Sequence, residues 1–169
     1  LASCAVCIFI GLDPEKSAAG LKKFTGSSRR FQLTGHMANG ATVIDDYAHH
    51  PTEMTATLKT AREMDFDRII CVFQSHTYSR TKALLPQFVE ALKLCDKAIV
   101  ADIYAAREKN TFGISGKDIA DQLDGGEYYP SFEQIEARVR EIAQPNDLII
   151  TMGAGNINCI GPKLCVDAK

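Results

Sequence analysis

Three short runs of apolar residues interrupt the polar pattern of the chain: RIICVFQ at 68–74, KAIVAD at 97–102 and DLIITMG at 147–153. Runs of this length without alternation are typical of strands buried on both faces of a parallel sheet. Each run therefore predicts a central strand, and the segments between the runs must supply the crossover helices.

Apolar side chains recur at helical spacing between these runs. A helix beginning at Pro51 is predicted, because proline suits a first helical position. Met54, Leu58 and Ala61 would form its apolar face. Similar signals predict three further helices, over the apolar stripe 85–92, after residues 115–118 and after the N-cap candidate Ser131.

A hairpin is predicted ahead of these elements. Residues 29–48, RRFQLTGHMANGATVIDDYA, place strand-forming residues on both sides of Asn39-Gly40, a dipeptide that favours tight turns. Hairpin, helix, strand, helix, strand, helix and strand follow one another, which predicts an α/β, Rossmann-like domain. We expect a mostly parallel sheet with helices on both faces and an N-terminal β-hairpin at its edge.

The first 24 residues are predicted to form two helices separated by Gly11. The chain also begins with Leu1 rather than methionine, so we expect a piece of a longer protein. We assign residues 1–24 to the end of a preceding domain or to linker helices. Residues 25–169 are assigned to one Rossmann-like domain.

Polar residues cluster where each predicted strand ends. The clusters are DDYAHH (45–50), QSHTYSRT (74–81), DIYAARE (102–108) and MGAGN (152–156). Ligands of open α/β sheets bind beyond the carboxyl ends of the strands. We therefore expect the four clusters to meet on one rim and to form the functional site.

Composition excludes several classes of function. The 169 residues are 46% hydrophobic and 24% charged, with a net charge of −2, which is ordinary for a globular domain. This balance indicates neither nucleic acid nor a membrane as partner, and no apolar run is long enough for a membrane span. Cys4 and Cys7 form a C-x-x-C within an apolar helix, which we interpret as packing rather than as a redox or metal site. A reduced, cytoplasmic setting is expected.

The first cluster admits several kinds of chemistry. Asp45 and Asp46 are candidates for acid–base work, for Mg²⁺ or for ribose hydroxyls, and the alternative is turn capping. Neighbouring strand residues point to opposite faces, so only one of the two is expected to face a ligand. His49 and His50 lack H-x-x-x-H spacing, which disfavours a metal. A hydrogen bond to an anionic substrate is favoured over a capping or core role.

The second cluster is predicted to bind an anion. His76, Tyr78 and Arg80 alternate, which places them on one side of an extended loop, with Arg80 able to pair with a carboxylate or a phosphate. The alternative is a solvated loop. Arg29 and Arg30, just before the hairpin, are the local candidates for adding positive charge near a phosphate, and the alternative is a pair of surface arginines.

The glycine-rich turn of the fourth cluster is a weaker signal. Gly153 and Gly155 lack the full G-x-G-x-x-G fingerprint and its downstream acidic residue, which disfavours a dinucleotide site and a small NAD-dependent oxidoreductase. Close backbone approach to an anion or to a neighbouring domain is the favoured interpretation.

Six motifs carry a resemblance to a known family: FTGSSRRFQLTG, VIDDYAHHPTEMTATLKTARE, VFQSHTYSRTKALLPQFVEAL, DIYAARE, GISG and TMGAGNI. Over roughly residues 1–160 the chain resembles the C-terminal domain of UDP-N-acetylmuramate–L-alanine ligases, which belong to the Mur ligase family. D-D-Y-A-H-H-P-T and H-T-Y-S-R-T are the most specific motifs. The second favours these enzymes over the related murein tripeptide ligases.

The resemblance implies a parent enzyme of three domains. A UDP-sugar-binding domain and a central P-loop ATPase would precede this one, and residues 1–24 would end or follow the ATPase domain. ATP would phosphorylate the muramoyl carboxylate, and the amine of L-alanine would attack the acyl phosphate. Mg²⁺ would be bound mainly by the central domain, so no metal ligand is implied in this chain.

Motif positions also imply roles for individual residues. Arg30 would contact the nucleotide phosphates, and Asp46 would reach the ATP ribose. Arg80 would take the alanine carboxylate, and no residue is assigned with certainty to the chemical step. The residues implied in binding the amino acid are Tyr47, His49, His76 and Arg80.

Three positions depart from the usual family pattern. Ser75 and Asn156 stand where proline and aspartate are frequent, and Thr77 stands where some members carry a second arginine, which puts a two-arginine clamp in doubt. The sequence also lacks G-x-x-x-x-G-K-[ST], so we expect the chain alone neither to hydrolyse ATP nor to join substrates. A non-enzymatic binding module derived from such a ligase is the alternative.

Overall fold

The computed structural model describes residues 2–24 and 26–168 and confirms the predicted α/β class. A short 3-10 helix at Ile157–Cys159 precedes the last helix. The elements are α1 (Ala2–Phe9), α2 (Pro14–Lys22), β1 (Gln32–His36), β2 (Thr42–Asp46), α3 (Pro51–Arg62), β3 (Arg68–Phe73), α4 (Tyr78–Ala83), α5 (Leu85–Leu92), β4 (Lys97–Ala101), α6 (Lys117–Ala120), β5 (Glu127–Tyr129), α7 (Phe132–Ile142), β6 (Asp147–Met152) and α8 (Ile160–Leu164).

The strands form one sheet in the order β1-β2-β6-β3-β4-β5. β1 pairs antiparallel with β2, and every other pairing is parallel, which confirms the predicted hairpin at the edge of a mostly parallel sheet. β6 lies between β2 and β3, and β4 follows β3. Because these four strands are parallel, their carboxyl ends lie along the same edge of the sheet.

Helices cover both faces of the sheet, as predicted. One buried cluster packs α3, α5 and α6 against the sheet, and the rings of Phe73 and Phe88 lie 5.4 Å apart within it. The other cluster packs α7 and α8 against the opposite face through Ile135, Val139 and Ile160. Ser131 caps α7 as predicted, since its side chain accepts a hydrogen bond from the backbone N–H of Gln134.

The hairpin turns at the predicted place through a three-residue loop. The backbone N–H of Gly40 donates to the carbonyl of Met37 (2.9 Å), and the N–H of Met37 donates to the carbonyl of Ala41 (2.8 Å). Gly40 has φ +95°, the left-handed conformation that follows a type I turn in such loops. Glycine supplies this conformation without strain.

The N-terminal helices form as predicted, but they contain no fully buried residue. Asp13 caps α2 by accepting a hydrogen bond from the N–H of Lys16 at 2.8 Å. Neither α1 nor α2 contains a buried residue, and Phe9 is 91% exposed. Cys4 and Cys7, for which a packing role was predicted, are only partly buried. Across the described part of the chain, no helix is both long and apolar enough to cross a membrane.

Two predictions for local structure were incomplete or wrong. β5 was not predicted. Residues 78–83 form α4, so the interpretation of QSHTYSRT as an extended loop is wrong. The chain turns into α4 at Thr77, whose φ of +69° ends the extended segment. His76 therefore lies before the helix and Arg80 within it, and the two do not share one side of a strand-like loop.

Candidate functional site

The four polar clusters meet on one rim, as predicted. The backbone N–H of Gly153 donates to the carbonyl of Asp46 at 3.0 Å, which joins the end of β6 to the end of β2. The N–H of Thr77 donates to the carbonyl of Tyr104 at 2.9 Å, which joins the segments that follow β3 and β4. The carboxyl ends of the parallel strands thus present one continuous polar surface.

Arg29 is an internal anchor of this rim. Its Nε lies 2.8 Å from Oδ2 of Asp45, and its two terminal nitrogens donate to the carbonyls of Gly153 (2.7 Å) and Gly155 (3.2 Å). Asp45 also accepts a hydrogen bond from the hydroxyl of Thr151 at 2.8 Å. The polar groups of Arg29 are therefore engaged within the domain, and its candidacy for a phosphate contact is not supported.

Arg30 faces outward between two pinned residues. Arg29 and Phe31 have φ of +57° and +45°, and Phe31 is held by a hydrogen bond from its N–H to Oδ2 of Asp46 at 2.9 Å. The Arg30 side chain is 51% exposed, with its guanidinium 5.7 Å from the ring centre of Tyr47 and 3.9 Å from Glu53. Such left-handed non-glycine residues are strained and are frequent at functional sites.

Asp46 is buried and already accepts two backbone hydrogen bonds. Oδ1 accepts from the N–H of Ala48 at 2.7 Å, and Oδ2 accepts from the N–H of Phe31 at 2.9 Å. An ionised carboxylate offers about four acceptor positions, and backbone N–H groups fill two of them here. The two neighbouring aspartates thus do different work: Asp45 binds Arg29, and Asp46 shapes the turn after β2.

The adjacent histidines also have separate roles. His50 caps α3, because its Nδ1 accepts from the N–H of Thr52 at 3.3 Å. Nδ1 of His49 lies 3.0 Å from the carbonyl oxygen of Tyr47 and 3.4 Å from Oε2 of Glu53. Both neighbours are acceptors, so Nδ1 donates to them. The ring of His49 is therefore fixed in one orientation.

Glu53 is a residue of this site that sequence reasoning missed. Its carboxylate accepts from the backbone N–H of His49 at 3.1 Å. Partial burial raises the pKa of Glu53, but the hydrogen bonds from His49 and His50 and the charges of His49 and Arg30 hold it below its usual range. The spacing of four residues between His49 and Glu53 on a helix start was the available signal.

His76 lies between two other rings of the rim. Its ring stacks on Tyr104 at 5.5 Å with an interplanar angle of 25°, and the ring of His49 lies 6.3 Å away. Burial lowers the pKa of His76, and the positive charges of Arg80 and His49 lower it further, while Glu108 acts in the opposite direction. His76 is thus held towards its neutral form in a cationic surrounding.

Two buried polar atoms of this region have no partner in the protein. Among residues 2–24 and 26–168, the buried side-chain nitrogens and oxygens without a hydrogen bond are Nδ1 of His76 and Nη1 of Arg80. Buried polar groups rarely go unpaired, because each costs about 1–3 kcal/mol. Their coincidence in one motif, H-T-Y-S-R-T, marks the place where a ligand with acceptor oxygens would fit.

The glycine-rich turn after β6 is required by packing inside the domain. A Cβ atom on Gly153 would lie 2.4 Å from the carbonyl oxygen of Gln74, and a Cβ on Gly155 would lie 2.3 Å from Oε1 of the same residue and 2.8 Å from Cβ of Tyr104. The close approach expected from the sequence is therefore to residues after β3 and β4. Gln74 and Tyr104 were not singled out in advance, since only the sheet order brings them here.

Together these residues form a row of cationic, aromatic and donor groups along the rim. The guanidinium groups of such a row bind anions through carboxylate or phosphate oxygens. Within the described residues, no three His, Cys, Asp or Glu side chains are grouped to hold a metal ion. The members of the row are Arg30, Tyr47, His49, His76 and Arg80.

Comparison with known proteins identifies the family of the chain. Residues 29–155 match the family model described as Mur ligase, glutamate ligase domain. The chain is 52% identical over 168 residues to a UDP-N-acetylmuramate–L-alanine ligase of Agathobacter rectalis, covering 97% of this chain and 36% of that protein. It is 46% identical over 173 residues to the enzyme of the same name from Caldanaerobacter subterraneus, covering all of this chain and 37% of the relative.

Solved structures agree with these matches. A UDP-N-acetylmuramate-alanine ligase from Thermotoga maritima superimposes with a TM-score of 0.77 at 27% identity, covering 95% of this chain and 34% of that one. A murein peptide ligase from Psychrobacter arcticus, at 22% identity and a TM-score of 0.66, shares the fold. The chain spans about a third of the length of its curated relatives. The family match covers most of the chain, and the chain therefore belongs to the Mur ligase family.

Proposed function

We propose that the chain is the C-terminal domain of an ATP-dependent ligase that joins L-alanine to UDP-N-acetylmuramate in the synthesis of peptidoglycan precursors. ATP phosphorylates the muramoyl carboxylate and leaves as ADP. The amine of L-alanine then attacks the acyl phosphate, and phosphate leaves as the amide bond forms. The curated relatives that share about half of their aligned residues with this chain carry this enzyme name.

The two unpartnered nitrogens on His76 and Arg80 are the observation that carries the proposal. An amino-acid carboxylate offers acceptor oxygens for Nη1 of Arg80, and for Nδ1 of His76 in the tautomer that protonates this nitrogen. A guanidinium binds a carboxylate more strongly than a neutral donor does. With its carboxylate held by Arg80, alanine would present its amine away from this anchor and towards the acyl phosphate. Holding the nucleophile in place supplies much of the rate in such a reaction. Tyr47 and His49 would complete the wall beside His76.

The nucleotide contacts are proposed at the other end of the row. Arg30 is exposed and carries a charge that Glu53 only partly compensates at 3.9 Å, so it is available to the phosphates of ATP. Phosphoryl transfer relies mainly on positive charge and positioning. The acceptor positions left on Asp46 suit ribose hydroxyls, although a ribose must approach a carboxylate that already holds the turn after β2.

The rest of the active site is proposed to lie in the parent protein. The curated relatives are nearly three times as long as this chain, which leaves room for a UDP-sugar-binding domain and a central ATPase domain that would hold Mg²⁺. The exposed apolar side chains of α1 and α2, such as Phe9, support the assignment of residues 1–24 to the end of that ATPase domain or to a linker. We place the reaction in the cytoplasm.

An assay of phosphate release tests the proposal. The full-length parent protein is given ATP and UDP-N-acetylmuramate with and without L-alanine, and the present chain is assayed in the same way. We expect alanine-dependent phosphate release by the parent and no release by the chain alone. Alanine-independent turnover by the parent would contradict the amino-acid assignment. Turnover by the isolated chain would contradict its role as one part of a larger site.

A further inference from the structure

The helix that carries Arg80 does not cap its own N-terminus. Thr77 occupies the N-cap position of α4 with φ +69°, and its side chain makes no capping hydrogen bond. The first backbone N–H groups of any helix need acceptors from outside the helix. The hydroxyl of an N-cap threonine ordinarily supplies such an acceptor. Thr77 does not, because its backbone is left-handed.

Glu108 supplies the missing acceptor from a different segment. Its Oε2 accepts a hydrogen bond from the backbone N–H of Ser79 at 2.8 Å, and its Oε1 accepts one from the Ser79 hydroxyl. These hydrogen bonds, from the Ser79 hydroxyl and then from its backbone N–H, lower the pKa of Glu108, so the carboxylate is ionised at neutral pH. A negative charge at a helix N-terminus is favourable in addition to the hydrogen bonds.

The segment after β4 is shaped to deliver this carboxylate. The N–H of Glu108 donates to the carbonyl of Ala105 at 3.0 Å, and Ala106 between them has φ +53°, which closes a tight turn. The same segment is tied to the chain after β3, because the N–H of Tyr104 donates to the carbonyl of Ser75 at 2.9 Å. Glu108 is therefore held at a fixed place relative to the start of α4.

Residues on both sides of this contact belong to the ligand site. Ser79 directly precedes Arg80. His76 lies three residues before Ser79, and its ring stacks on Tyr104, which belongs to the same segment as Glu108. Arg80 has a buried, unpartnered Nη1, so the direction of its guanidinium depends on the backbone that carries it. A shift of α4 would move that nitrogen away from an incoming carboxylate.

We propose that Glu108 is a positioning residue, which fixes the start of α4 and thereby aims Arg80 and His76 at the carboxylate of the amino-acid substrate. This inference rests on the function proposed above. Glu108 does not touch the reacting atoms. It determines how well the amino acid is held, while nucleotide binding at Arg30 and Asp46 is independent of it.

Steady-state kinetics of the full-length parent protein tests this role. Glu108→Ala is expected to raise the KM for L-alanine about tenfold or more, because small displacements of a binding group have large effects on reaction geometry. The KM for ATP should change less than about twofold, since the nucleotide contacts lie elsewhere. Glu108→Gln retains one acceptor oxygen for the N–H of Ser79 and should recover part of the loss. Ser79→Ala removes only the hydroxyl bond and should have a smaller effect.

A matched control uses Glu90, a surface carboxylate of α5 that pairs with Lys93 at 2.5 Å. Glu90→Ala is expected to leave both KM values unchanged. Thermal unfolding of each variant shows whether it is folded at the assay temperature. If Glu108→Ala is not folded, Glu108→Gln and Ser79→Ala provide the same comparison of the two KM values. Equal increases in the KM for alanine and for ATP would overturn the positioning role.

The double variant with Arg80→Ala separates this inference from the function on which it rests. If Glu108 acts through Arg80, Glu108→Ala should add little to the KM for alanine once Arg80 is absent. Additive effects of the two substitutions would contradict action through α4. If Arg80→Ala leaves the KM for alanine unchanged, the proposed anchor itself fails. If Arg80→Ala raises it and Glu108→Ala does not, only the positioning role fails.

Discussion

The guanidinium of Arg29 binds the carboxylate of Asp45, with Nε 2.8 Å from Oδ2, and this pair gives two adjacent arginines different tasks. Asp45 is buried at the end of β2, and Arg29 continues from it to the carbonyls that follow β6. Arg30 is left facing outward. The rim therefore separates an arginine that holds the domain together from one that is available to a ligand.

Substitution of each arginine should consequently affect a different measurement. Arg29→Ala leaves the buried carboxylate of Asp45 without its cation, and we expect the free energy of unfolding to fall by about 2 kcal/mol or more. Partial exposure of Arg29 keeps this below the cost of breaking a fully buried pair. Arg30→Ala should leave the unfolding free energy within about 0.5 kcal/mol of the parent value and raise the KM for ATP. Denaturant unfolding of this chain tests the effect on stability, and kinetics of the full-length protein test the effect on the KM for ATP. A loss of stability in Arg30→Ala together with a raised KM for ATP in a stable Arg29→Ala would contradict the assignment.

Asp46 should show both a structural and a ligand effect. Asp46→Ala removes the acceptor of two backbone N–H groups, those of Phe31 and Ala48, so we expect a loss of about 1–3 kcal/mol in unfolding free energy. In the full-length protein it should also raise the KM for ATP while leaving that for L-alanine nearly unchanged. Thr151→Val, which removes a buried hydrogen bond to Asp45, is the control for destabilisation alone. An unchanged nucleotide KM in Asp46→Ala would count against the ribose contact.

Arg80 is expected to act on the amino acid. Arg80→Ala removes a charge-assisted anchor worth about 1.5–3 kcal/mol, which corresponds to an increase of about ten- to hundredfold in the KM for L-alanine. The KM for ATP should change far less. Lys82→Ala, which removes a charge from an exposed position of the same helix, should change neither value. Similar increases for both substrates would exclude the role of Arg80 as a carboxylate anchor.

The sequence was sufficient for five of the six strands and for most of the helices, because those elements follow from local patterns of burial. β5 escaped prediction because three half-buried residues carry no such pattern. It is stabilised by contacts distant in sequence: Glu127 lies 2.8 Å from Arg138 and 2.5 Å from Lys97. The hydrogen bond from Arg138 is the largest reason why the pKa of Glu127 is lowered to about 2.

The sequence predicted which segments meet on the rim but not the geometry of their side chains. The motifs singled out His76 and Arg80, but the alternation of these residues with Tyr78 is typical of an extended segment. In the structure a helix begins after Thr77, whose backbone is left-handed. Nothing about a threonine at this position indicates that conformation. Which of Arg29 and Arg30 faces outward likewise depends on the left-handed backbone of Arg29 and Phe31. The role of Glu108 could not be predicted from the sequence. Its contact with Ser79 joins positions 29 residues apart, which only the order of the strands brings together.

The ionisation of His76 provides a test within this chain itself. Burial lowers its pKa, as do the charges of Arg80 on α4 and of His49 after β2, while Glu108 after β4 opposes them. NMR titration of the imidazole should give a midpoint below 6.5. Arg80→Met should raise the midpoint towards 6.5, and Glu108→Gln should lower it further. Lys82→Met serves as the control for removal of an exposed charge.

The same shift determines how His76 affects stability with pH. A histidine whose pKa is depressed in the folded state binds fewer protons there than in the unfolded chain. Its contribution to stability is therefore fully present above pH 6.5 and is lost as the pH falls through the lower, folded-state pKa. His76→Gln should weaken the dependence of the unfolding free energy on pH in that window, because it removes the group whose protonation opposes folding. A midpoint at or above 6.5 in the parent chain, or an unchanged pH dependence in His76→Gln, would show that His76 is not held towards its neutral form beside Arg80.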